Sequence, residues 1–153
     1  MRAHAEYFLL GFAFLFLFAQ GMNRVPPISA ARKLEHSKNI PPAVQAVVER
    51  SCRDCHTAET AWPWYSRIAP VSWLIERDVR KGRTRLDFSK WDSRDSKAPT
   101  PGEVEEICGA ASSGDMPPAP YRFIHPNSKL TSEDVAVFCK WADELSAKGG
   151  LPH

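Results

Sequence analysis

The pentapeptide Cys52-Arg53-Asp54-Cys55-His56 constrains this chain more than any other feature it carries. Two thiols separated by two residues reach the same edge of a flat macrocycle, and each adds across one vinyl group to leave a thioether. The histidine directly after the second sulfur is then carried beneath the ring, where an imidazole nitrogen binds iron. The pattern is that of c-type haem attachment, and a chain that uses it has to fold around a large apolar disc. Three plainer uses of the same residues fit less well. A thiol-redox pair wants a βαβ unit, and no strand pattern is legible. A zinc site wants a fourth ligand and usually a second paired motif, which the separated Cys108 and Cys139 do not make. A disulfide between Cys52 and Cys55 leaves His56 without a role.

Tyr7 to Ala19 is an uncharged run dominated by Phe and Leu, preceded by Arg2 and His4. A membrane helix needs roughly 20 apolar residues. The run therefore reads as the apolar part of a signal peptide with Ala19-Gln20-Gly21 as its small-residue cleavage site, or as a retained anchor that attaches the chain to a membrane through residues 7–19. Either way the rest of the chain is exported, to the periplasm or the extracytoplasmic face of the membrane. Export places the remaining cysteines in an oxidising compartment, and a disulfide between Cys108 and Cys139 is expected. Its 20 basic and 18 acidic residues, net +2, are scattered along the chain, so nucleic acid is not an expected partner.

A length of 153 residues suits one globular domain. Residues 1–21 form the signal or anchor, 22–39 a proline-containing linker expected to hold the domain off the membrane, 40–146 the haem-binding domain and 147–153 a tail. Pro41 and Pro42 suit a first helical turn, and Val44, Val47 and Val48 then share one face of a helix that delivers Cys52. Val71 to Lys81 predicts a second helix, with Trp73, Leu74 and Ile75 entering the core and Gly82 as its stop. Leu86, Phe88 and Trp91 follow in a loop or extended stretch. Thr100-Pro101-Gly102-Glu103 is a capping box that opens a third helix, ended near Ser113 by Gly114. Thr131-Ser132-Glu133-Asp134 opens a last one, with Val135, Phe138 and Cys139 inward and Trp141 closing it. The expected fold class is mainly α, a cytochrome c-like helical domain with long loops wrapped around one covalent haem.

A low-spin electron carrier needs a second axial ligand. The chain has three methionines, and Met116 is the one inside the folded domain, in a loop stiffened by Pro117 and Pro118. The alternative is His125, in the following loop; His36 in the linker and His4 and His153 at the chain ends are poorer candidates. Trp62, Trp64 and Tyr65 are expected to touch the haem, because their tether to His56 is short. The other ring nitrogen of His56 needs a carbonyl or carboxylate partner, for which the backbone between Pro63 and Pro70 is the expected source. Arg77, Arg80, Lys81, Arg83 and Arg85 form a basic stretch that reads as a solvated helix end, or as a docking or propionate-binding face.

SCRDCH, then AWPWYSRIAPVSWLIERDVRKGR, GDMPPAPY, HP and the closing CKW together resemble the bacterial haem-binding-domain family of single-haem, c-type-cytochrome-like proteins. The resemblance spans roughly Val48 to Trp141. It implies Cys52 and Cys55 as thioether sites on one haem c, His56 as the proximal ligand and Met116 as the distal candidate. The expected role is single-electron transfer to a redox partner protein rather than enzymatic turnover. Two other roles would use the same haem: a sensor or small-ligand binder with a displaceable Met116, and a peroxidase-like enzyme, which would need acid–base groups on an open distal side.

Overall fold

A computed structural model of the chain describes residues 2–23, 39–91 and 98–149, and among them no strand occurs. Helix α1 spans Arg2–Gly21, α2 Pro42–Ser51, α3 Arg53–His56, α4 Val71–Arg85, α5 Pro101–Ser112, α6 Ala119–Ile124 and α7 Ser132–Gly149, with 3-10 turns at Trp64–Arg67, Phe88–Trp91 and Pro126–Ser128. The mainly α class is confirmed. Apart from Met22, Asn23 and Asn39, the 22–39 linker lies outside the described residues, as do His36 and 150–153 of the tail.

The core is built where α2, α5 and α7 converge with the 3-10 turn at Phe88–Trp91. Val44, Val47 and Val48 lie on the inner face of α2, as their spacing predicts, and meet Phe88, Trp91, Val104, Phe138 and Trp141. Phe88 stands edge-on to Trp91 at 5.2 Å, and Trp91 edge-on to Trp141 at 6.0 Å. Such pairings add to the area the rings bury. Cys108 on α5 and Cys139 on α7 form the expected disulfide, with Cα atoms 4.8 Å apart. By restricting the unfolded chain it contributes about 2–4 kcal/mol.

Four local expectations are corrected. α4 does not stop at Gly82 but runs to Arg85, and Gly82 instead packs from within the helix against the Cys55 backbone. Trp73, Leu74 and Ile75 do not join the core: the first two are 44% and 51% exposed and Ile75 is half-buried outside it. Trp141 does not close the last helix: it is a core residue midway along α7, which continues to Gly149. The 3-10 turn replaces the loop expected for Phe88 and Trp91. α1, whose Phe and Leu side chains are exposed along its length, is the one described helix long and apolar enough to cross a membrane. Its C-terminal end is not set apart from the domain: the Gln20 amide donates to Ala69 O at 3.2 Å and accepts from Ala69 N at 3.1 Å.

The capping signals read from sequence are both present. Thr100 and Glu103 exchange their side-chain and backbone hydrogen bonds at the start of α5. At α7 the pattern runs through Asp134, whose carboxylate accepts from Thr131 N at 2.8 Å, while Asp134 N donates to Thr131 Oγ1 at 3.2 Å. Arg50 of α2 also donates to that carboxylate, tying the two helices together. Burial alone would push the Asp134 pKa up; the Thr131 N–H and hydroxyl and the Arg50 guanidinium outweigh it, and the carboxyl lies below its usual range. A carboxylate whose pKa is depressed by folding stabilises above its unfolded pKa, about 3.9, and loses that contribution as pH falls through the folded value. Asp134→Ala is expected to lower the unfolding free energy at pH 7 by about 1–2 kcal/mol. In urea titrations the gap to the parent protein should narrow progressively below about pH 4.

Candidate functional site

The site grows from the junction of α2 with α3. Cys52 caps α2, its N–H donating to Val48 O at 2.9 Å, and the short turn Arg53–His56 winds Cys55 and His56 back beside it. Asp54, between the two cysteines, holds this turn in shape. Its carboxylate accepts from Ala61 N at 3.1 Å and from the Tyr121 hydroxyl at 2.8 Å, and its carbonyl accepts from Thr60 Oγ1 at 2.6 Å.

Helix α4 closes against the same turn through Gly82. A Cβ built there would lie 2.6 Å from the Cys55 carbonyl oxygen, so the contact demands a residue without a side chain. The approach brings the end of α4 to His56, whose Nδ1 lies 3.0 Å from Leu86 O. As the carbonyl can only accept, Nδ1 carries the proton, and Nε2 keeps its lone pair free for a metal. The orienting partner is therefore Leu86, not the segment between Pro63 and Pro70. The ring also stands edge-on to Phe88, 6.3 Å between centroids, which couples its orientation to the core.

Cys52, Cys55 and His56 line a cleft of about 500 Å³, within the range of roughly 300–1,000 Å³ usual for cofactor sites. Apolar surface comes from Leu86, Phe88, Ile107, Ala110, Leu130 and Phe138, and the loop after α5 adds Met116, Pro117 and Pro118. Charge is confined to a few side chains, among them Lys81 and Arg85 from α4 and Glu103 and Glu106 from α5. Arg85 pairs with Glu106, linking the two helices at the cleft. The structure thus brings four of the expected residues, Cys52, Cys55, His56 and Met116, to one cavity.

It does not bring the others there. Trp62, Trp64 and Tyr65 lie outside the cleft lining: Pro63 is extended, the chain then turns through a 3-10 helix, and Trp64 ends 75% exposed. His125 is engaged elsewhere. Its Nε2 lies 2.9 Å from the Tyr65 hydroxyl, its ring stacks on Tyr121 at 4.4 Å, and it lines a smaller polar cavity with Arg50 and Arg53. Arg122 donates to Gly114 O at 3.0 Å, holding the loop that precedes Met116.

The two cysteines are free thiols, and their protonation bears on their use. Burial pushes Cys52 up to about 12, aided by neighbouring Cys55, against the pull of Arg50. Burial likewise pushes Cys55 up to about 11, with Asp54 and Asp78 adding to it and Arg83 opposing. Thiol-exchange and nucleophilic cysteines work through depressed pKa values, so the shifts run against that use. Among the described residues no three His, Cys, Asp or Glu side chains gather to hold a metal ion. An imidazole with a free lone pair and a thioether on one apolar cleft instead suit an iron whose other bonds come from a planar macrocycle, and the paired thiols suit its edge.

Sequence reasoning missed Leu86, Gly82, Asp54 and Tyr121. Of these only Asp54 carried a local signal, its place inside the motif. Burial and the adjacent Asp54 carboxylate push the Tyr121 hydroxyl up, keeping it a donor, so it joins α6, just after the Met116 loop, to the turn that bears His56.

The closeness of α4 makes a signed prediction. Gly82→Ala should lower the unfolding free energy by about 1–3 kcal/mol, since a backbone carbonyl has to move. Gly109→Ala, at a helical position where a Cβ meets nothing within 4 Å, should instead raise it by about 0.5–1 kcal/mol. Chemical denaturation of both variants checks the contrast.

Comparison with known proteins bears on what the cleft holds. Residues 11–144 match the sequence profile of a family described as the haem-binding domain. No curated protein and no solved structure matches.

Proposed function

The chain belongs to the haem-binding domain family, and from that premise we propose that it is an exported, single-haem c-type carrier of electrons. The observation that carries this reading is the convergence of Cys52, Cys55, His56 and Met116 on one mostly apolar cleft. Cys52 and Cys55 would hold the macrocycle through thioethers, and His56, through Nε2, and Met116 would hold its iron. Haem supplies the one-electron couple; the protein supplies burial, ligand identity and orientation. Leu86 O holds the imidazole in the ligating tautomer, and the thioether of Met116 raises the potential relative to a second imidazole. Lys81 and Arg85, the cations on the lining, suit the propionates. α1 carries the domain across the membrane and keeps it there, with the basic N-terminal end on the cytoplasmic side.

One observation favours a second reading. Met116 sits on the loop between α5 and α6 rather than on a helix, and a ligand carried on a loop is open to displacement. The haem would then sense oxygen, carbon monoxide or nitric oxide.

Spectroscopy of the ferric protein tests the first reading and separates it from the second. The weak long-wavelength band of a sulfur–iron bond should be present and should vanish in Met116→Ala, whose reduced form should bind carbon monoxide readily. The parent protein should bind it poorly. A parent that binds carbon monoxide as readily as Met116→Ala is the sensor. A low-spin parent with no sulfur–iron band removes Met116 from the iron.

A further inference from the structure

The exposed face that α4 and the preceding 3-10 turn present is not explained by the cleft. Trp64, Ile68, Val71, Trp73 and Leu74 are 75%, 36%, 41%, 44% and 51% exposed, all within one short stretch of chain. Two tryptophans and three aliphatic residues left in contact with water within eleven positions mark a surface that another phase or molecule covers. Ala69, at the centre of this stretch, is the residue whose N–H and carbonyl are both taken by the Gln20 side chain. Asn23 adds a third link, its side chain donating to Arg67 O at 2.6 Å.

Those three hydrogen bonds say what lies beside the patch. Gln20 and Asn23 sit at and just beyond the end of α1, where the apolar window His4–Gly21 stops. A helix that crosses a bilayer leaves the hydrocarbon near the end of its apolar run, so the membrane surface passes close to Gln20 and therefore close to Ala69. The side chains flanking Ala69 are of the kind that settle at that depth: tryptophan, with an apolar body and one polar N–H, is the residue of membrane interfaces. Arg67, exposed beside Trp64, adds a cation suited to anionic headgroups.

We propose that the Trp64–Leu74 surface is seated in the headgroup region of the bilayer that α1 spans, holding the domain flat against the membrane. The occupant is lipid rather than a second protein, because the patch is continuous with the exit point of the membrane helix. α4 leads from this surface to the cleft: at 1.5 Å per residue, Lys81 lies about 10 Å along the helix from Leu74. Seating the patch therefore fixes the height and facing of the haem cleft above the membrane. The inference rests on α1 being retained.

The test uses the full chain, isolated from membranes and reconstituted in vesicles of phosphatidylethanolamine and phosphatidylglycerol. Intact mass is measured first. The photo-crosslinking residue p-benzoylphenylalanine is then placed singly at Trp64, at Leu74 and, as a control, at exposed Glu144 of α7, which packs with α5 and α2. Illumination should give lipid adducts at positions 64 and 74 and only background at 144. An intact chain without lipid adducts at 64 and 74 overturns the seating and leaves α1 as an anchor. An adduct to a second copy of the chain at those positions overturns it in favour of self-association. A mass showing loss of residues 1–21 overturns the anchor reading and this inference with it.

Discussion

The hydrogen bond between His56 Nδ1 and the carbonyl of Leu86 is the interaction on which the site depends. It settles which ring nitrogen holds the proton and so which one can bind metal. The bond exists because α4 comes close enough to the Cys52–His56 turn to present its last carbonyls there, and that approach depends on Gly82 lying against the Cys55 backbone. Phe88 then carries the imidazole's orientation into the aromatic cluster of Trp91 and Trp141. The His56 side of the site is thus built into the core.

The second set of constraints joins the two segments that carry His56 and Met116. Asp54 lies inside the pentapeptide and accepts from Tyr121, one short helix past Met116. The Cys108–Cys139 disulfide binds α5, from whose end the Met116 loop departs, to α7. The Met116 loop is therefore fastened on both sides, by the disulfide before it and by Tyr121 after it. His125 is held away from the cleft by Tyr65 and Tyr121.

Features encoded within a few residues were legible in the sequence. The CxxCH pentapeptide, the Thr100–Glu103 and Thr131–Asp134 caps and the valine face of α2 are all patterns of fixed local spacing, and each stands where expected. Features that depend on how distant segments meet were not. Leu86 lies 30 positions from His56, and nothing in its side chain marks its carbonyl as a partner. Trp62 to Tyr65 sit close to His56 in sequence, yet Pro63 and the turn after it lead them away from the cleft. Trp73 and Leu74 are large and apolar but consecutive on α4, and apolar character alone does not say which face of a helix meets the core.

The central claim is that Cys52 and Cys55 are bonded to the macrocycle whose iron His56 holds. Protein matured alongside a cytochrome c assembly apparatus should keep its pigment through acid–acetone extraction, and peptide mass spectrometry should place one haem on the segment from Cys52 to His56. Extraction of the pigment with both cysteines recovered as unmodified thiols would contradict it.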